Sequence, residues 1–128
     1  MELSNIKVFI VDDESVVCSN VAAFMEDEGF SVFSATSGEE ALRLISQQEF
    51  DAAIVDMRLP GIDGETLIMK AHEAQPKLKF LIHTGSTNYT VSRSLEEIGV
   101  TDDHVFRKPL VDMSVLSQGV LKLLEGKA

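Results

Sequence analysis

Five times along this 128-residue chain a short apolar run gives way to a segment whose apolar residues recur at helical spacing, and that alternation admits few folds. The runs are residues 6–11, 30–35, 52–55, 78–83 and 103–107. Ala52, Ala53, Ile54 and Val55 form an unbroken apolar stretch, the pattern of a strand covered on both faces. The intervening helices are predicted over residues 14–28 (Val17, Val21, Phe24, Met25) and from a capping box at Ser37 to Glu40 (Ala41, Leu44, Ile45). The others run from Gly64 (Leu67, Ile68, Ala71) to a stop at Pro76, over 88–98 (Val91, Leu95, Ile98) and over 111–124 (Val115, Leu116, Leu123), with Gly119 a weak point in the last. Gly29 stands where a left-handed cap is wanted. Strands separated by helices cannot pair through tight turns. The expectation is therefore one α/β domain over residues 1–128, with its core at about 5–124: a parallel sheet between two helical layers.

The ends of the runs are as informative as their interiors. The first stops at Asp12-Asp13-Glu14, the third at Asp56, the fourth at Thr84-Gly85-Ser86 and the fifth at Lys108-Pro109. In an open parallel sheet the carboxyl ends of the strands share one edge, and ligands bind in the crevice beyond it. Asp12, Asp13, Asp56, Thr84 and Lys108 are thereby expected in one place. Three carboxylates together either raise one another's pKa or hold a cation, and an oxygen-only donor set without His or Cys suits Mg²⁺. A lysine ammonium and a threonine hydroxyl can bind phosphoryl oxygens, and an aspartate can itself be a nucleophile, so the set points to phosphoryl transfer.

Charge and composition exclude other classes. Against 11 basic residues stand 21 acidic ones, a formal net charge of −10 that repels nucleic acid phosphates. The apolar runs are too short to span a bilayer and the first residues lack a signal-peptide pattern, so a cytoplasmic protein without membrane contact is expected. Cys18, the one cysteine, reads as a small core residue.

The acidic pair Asp12-Asp13, the run from Asp56 through Pro60 and Gly61 to Gly64, Thr84-Gly85 and Lys108-Pro109 together resemble the receiver domains of two-component response regulators, the CheY-like family. The likeness covers nearly the whole chain. It implies the flavodoxin-like (βα)5 fold with strand order 2-1-3-4-5. By matching positions it implies Asp56 as phosphoacceptor and Thr84 and Lys108 as ligands of the phosphoryl group. Asp13, Asp56 and the Arg58 backbone carbonyl would ligate Mg²⁺, with Asp12 acting mainly through water. It further implies a cis Lys108–Pro109 bond and a phosphohistidine donor on a sensor histidine kinase or phosphotransfer protein. An output domain, a target protein or a second copy would meet the face of the fourth helix, fifth strand and last helix. A signalling module is implied, catalysing only its own phosphorylation and slow autodephosphorylation.

Two other readings stand beside this one: a degenerate receiver that only binds partners, and an aspartate-nucleophile phosphohydrolase. The second needs an acid two residues after its nucleophile, where Arg58 stands. A nucleotide or flavin binder of the same topology would need a phosphate loop where Asp12-Asp13-Glu14 lie. Arg58 is expected to overhang the phosphoryl pocket, His72 to be solvated and His83 to pack as a strand residue facing away from the Thr84 side chain. Glu26-Asp27-Glu28 reads as an exposed helix end. The resemblance also exposes a departure: the switch aromatic usual three residues before the lysine is Val105 here, Phe106 points to the other face, and His104 or Tyr89 are the nearest substitutes. With Thr84 and Val105 as switch positions, activation is expected to reposition the backbone after Thr84 without aromatic rotation.

Overall fold

The computed structural model describes residues 2–125. Its strands are β1 (Lys7–Val11), β2 (Ser31–Ala35), β3 (Ala52–Val55), β4 (Lys79–Thr84) and β5 (Val105–Arg107). Its α-helices are α1 (Ser15–Glu28), α2 (Gly38–Ile45), α3 (Gly64–Ala74), α4 (Arg93–Glu97) and α5 (Ser114–Glu125). All four strand pairings are parallel and the order is β2-β1-β3-β4-β5. This is the flavodoxin-like arrangement the resemblance implies.

Alternation along the strands divides the core in two. Phe9, Val11, Val55 and Ile82 pack with Leu67, Ile68 and Leu95 beneath α2, α3 and α4. Val8, Ile10, Ile54 and Leu81 pack with Cys18, Val21, Met25, Leu116 and Val120 beneath α1 and α5. Three layers result. Met25 and Leu116 are fully buried, each a stabilisation of about 1.5–3 kcal/mol from lost water contact. Helix ends follow local chemistry: the Ser37 hydroxyl accepts the Glu40 N–H, Asp63 accepts that of Thr66, and Gly29 closes α1 with φ +113°. The Glu40 carboxylate reaches back one residue further than a standard capping box, to the Thr36 N–H.

Two helices are shorter than their apolar spacing predicts. Only Arg93–Glu97 of the expected 88–98 is helical, because the Ser92 hydroxyl accepts the Leu95 N–H and sets the first turn there. Val91 reaches the core from irregular backbone instead. Likewise α5 starts at Ser114, not 111: Asp112 accepts the Ser114 N–H, and Val111 is fully exposed. Leu116, Val120 and Leu124 form its buried stripe, with Val115 and Leu123 at the margins. Gly119 lies where α5 meets the sheet, since a Cβ there would stand 3.1 Å from Leu81 Cδ1 and 3.2 Å from Phe106 Cζ. His72, expected to be solvated, is half-buried.

Gly64 fixes how α3 approaches the strand ends. A Cβ at this position would lie 2.5 Å from the Asp56 carbonyl oxygen and 2.6 Å from Met57 Cα, both backbone atoms that cannot swing aside. We expect Gly64→Ala to destabilise the fold by about 1–3 kcal/mol, the usual range for overpacking, despite alanine's better helix propensity. Urea denaturation checks this; a gain in stability would show that the loop yields without strain.

Candidate functional site

β1 and β3 lie side by side at the centre of the sheet, so their ends carry Asp12 and Asp56 to adjacent positions, with the Asp56 N–H donating to the Val11 carbonyl at 2.9 Å. Both residues are buried, 3% and 4% exposed, while Asp13 is exposed. Lys108 follows β5 and reaches across the end of β4. Its Nζ lies 2.7 Å from Asp12 Oδ2 and 3.1 Å from Asp56 Oδ2, with Glu14 Oε2 at 3.9 Å. The other carboxylate oxygens are held by main-chain donors: Glu14 N–H donates to Asp12 Oδ1 and Arg58 N–H to Asp56 Oδ1. Thr84, wholly buried, ends β4; its carbonyl accepts the Lys108 N–H at 2.8 Å and its hydroxyl oxygen accepts the Ser86 N–H at 3.2 Å. The Lys108–Pro109 bond is cis.

The electrostatics follow from crowding. Burial pulls the Lys108 ammonium toward the neutral form, but its bonds to Asp12 and Asp56 outweigh that and hold its pKa above the ordinary lysine value. Burial pushes the Asp12 carboxyl up, against the opposing pull of Lys108 and the Glu14 N–H. Asp12, Asp13 and Asp56 each offer a carboxylate oxygen within 4.8 Å of the others. Three carboxylates against one ammonium leave two formal negative charges in excess. An all-oxygen donor set with that surplus fits a hard divalent cation.

Asp12, Asp13, Asp56 and Lys108 therefore meet as the strand ends predicted, and Thr84 joins the same edge. Arg58 is exposed beside them. Val105 is half-buried against the core beneath α2, α3 and α4, and Phe106 packs on the opposite face. Two participants escaped sequence reasoning. Glu14 faces Lys108, which its place beside the acidic pair could have signalled. Arg107 bonds to the loop after Thr84. His83, correctly expected to pack inside the fold, lies close enough to Lys108 and Asp56 to feel both charges.

Fold and edge together place the chain in the flavodoxin-like α/β class. The family model of the response regulator receiver domain matches residues 8–118, and the chain belongs to that family. A CheY-like receiver domain protein from Methanospirillum hungatei JF-1 superposes with a TM-score of 0.78 at 27% identity, over 95% of this chain and 96% of that one. The response regulator TrrA of Thermotoga maritima, whose structure is a complex with Mg²⁺ and BeF, gives 0.77 at 25% identity over 93% and 99%. Sporulation initiation phosphotransferase F of Bacillus subtilis is 25% identical over 126 residues, 98% of this chain and 99% of its own length. The chain spans about 30% of the length of the first curated relatives it matches. Receiver domains are signalling modules that interact with histidine kinases or phosphotransfer proteins. Among the described residues no helix is long and apolar enough to cross a membrane.

His83 gives the site a pH signature. Burial, with help from Lys108 and against Asp56, pushes its pKa from 6.5 down to about 4, and its Nε2 has no hydrogen-bond partner. A depressed histidine pKa means that the unfolded chain binds the proton first. The neutral ring therefore contributes full stability above pH 6.5 and loses it as pH falls toward 4, by about 3 kcal/mol. Chemical denaturation from pH 7 to 4 should show a flatter stability profile in His83→Leu than in the wild type. Parallel profiles would exclude this contribution.

Proposed function

We propose that residues 1–128 act as a single phosphorylation-activated receiver domain in which Asp56 accepts a phosphoryl group from a histidine kinase or phosphotransfer protein. The observation that carries this reading is the Lys108 ammonium lying between Asp12 and Asp56, with Asp13 in reach of a shared cation. An Asp56 oxygen attacks phosphorus, the P–N bond to the donor imidazole breaks, and its electron pair leaves with the ring nitrogen. Arg58 N–H holds Asp56 Oδ1, leaving Oδ2 as the attacking atom once Lys108 turns to the incoming phosphoryl oxygens. The Thr84 hydroxyl donates its hydrogen to another phosphoryl oxygen. Asp12, Asp13, Asp56 and the Arg58 carbonyl are the groups that would hold Mg²⁺, with Asp12 acting mainly through water; the ion supplies neutralising charge for the transferred oxygens when bound.

The output surface in this reading is the face of α4, β5 and α5, open to an output domain, a target protein or a second copy. Val105 is too short to carry an aromatic rotation, so the signal passes through the backbone after Thr84. A receiver that binds partners without phosphorylation is the weaker alternative, because it gives no reason for burying two carboxylates around one lysine.

Acetyl phosphate should add one phosphoryl group, seen by intact-protein mass spectrometry, only when Mg²⁺ is present. Asp56→Asn should abolish it, and Asp13→Ala should weaken Mg²⁺ binding far more than Ser15→Ala. Labelling of Asp56→Asn at the wild-type level, or undiminished labelling in EDTA, would remove the assignment.

A further inference from the structure

We propose that Arg107 is a positioning residue for Thr84, acting through the backbone of Ser86; this rests on the roles given above to Thr84 and Asp56. Residues 85–92 follow β4 as irregular chain, with neither helix nor strand to satisfy their carbonyls. Arg107, the last residue of β5, supplies partners for two of them: Nη1 donates to the Ser86 carbonyl at 2.9 Å and Nη2 to that of Tyr89 at 3.0 Å. One rigid fork thereby grips the loop at two points three residues apart, which a lysine point charge cannot do.

The gripped residue also orients the Thr84 hydroxyl, through the peptide on its other side. Ser86 N–H donates to Thr84 Oγ1 at 3.2 Å, occupying one of the oxygen's acceptor sites. The single hydroxyl hydrogen is then free to turn to an incoming phosphoryl oxygen. Meanwhile the neighbouring residue, Lys108, holds the Thr84 carbonyl through its own N–H at 2.8 Å. The end of β5 thus fixes the Thr84 main chain directly and its side chain at one remove. Tyr89 strengthens the hold, since its ring packs against the core beneath α2, α3 and α4 while its carbonyl takes the second arm of the fork.

A purely structural tie on the surface would affect stability and leave chemistry at Asp56 alone. The two roles separate in a double-mutant cycle on the rate of Asp56 labelling by acetyl phosphate with Mg²⁺. Arg107→Ala should slow labelling by about tenfold, short of the roughly hundredfold that an ångström of misplacement can cost. In a Thr84→Ala background the same change should have little further effect. Arg107→Lys keeps the stem and the charge, guarding against a general folding defect, and should be slowed as well because it lacks the fork. The Ser86 amide proton should shift and exchange faster with solvent in both Arg107 variants. Wild-type labelling in Arg107→Ala, full rescue by Arg107→Lys, or an equal loss in the Thr84→Ala background overturns the proposal while leaving the Asp56 reading intact. A wild type that takes no label, or an Asp56→Asn variant that labels equally, overturns that reading and this proposal with it.

Discussion

One ammonium shared by two buried carboxylates is the interaction around which this edge of the molecule is arranged. Lys108 directly follows the edge strand of the sheet, yet its Nζ bonds to acids that directly follow the inner strands β1 and β3. Taking these charges out of water is unfavourable, and the arrangement persists because each carboxylate oxygen has a donor, two from the lysine and two from backbone N–H groups. The surplus of negative charge is what remains unanswered within the chain. It lies at the carboxyl ends of the strands, where Asp13 is open to solvent.

The sheet decides from which side each group comes. Leu81 and His83 share the face of β4 that looks toward α1 and α5, whereas Ile82 and Thr84 look toward α3 and α4. Lys108 and the Thr84 hydroxyl therefore flank the strand ends from opposite faces, and β5, the strand that leads into Lys108, is only three residues long. So short a strand couples the two faces closely. A shift of the loop after Thr84 bears directly on the residue next to Lys108.

How much of this could be read from sequence depended on whether the signal was local. α1, β3 and α3 were legible because periodicity, an unbroken apolar run and terminal Gly, Asp and Pro residues agree with one another. The convergence of Asp12, Asp13, Asp56, Thr84 and Lys108 was legible because a parallel sheet gathers strand ends whatever their separation in sequence. Strand order came with the family resemblance and not from periodicity. Apolar spacing overextends the fourth helix because Val91 has helical spacing to Leu95 and still enters the core from irregular backbone. The grip of Arg107 on Ser86 and Tyr89 depends on a long side chain crossing to another loop, which no local pattern records.

The strand order also has a consequence for how the molecule is completed. β1, though first in the chain, is an interior strand, and its second neighbour β3 ends at residue 55. From then on the sheet grows in one direction, by β4 and finally by β5. Asp12 and Asp56 are therefore juxtaposed by the first half of the sequence, while the lysine that separates them arrives with the last strand. A chain truncated at residue 104 that kept the pairing of β1 with β3 would carry the repulsion without its remedy. The residue after β5 thus brings the charge that offsets the repulsion between the ends of β1 and β3, so one side chain ties the outermost strand to two inner ones.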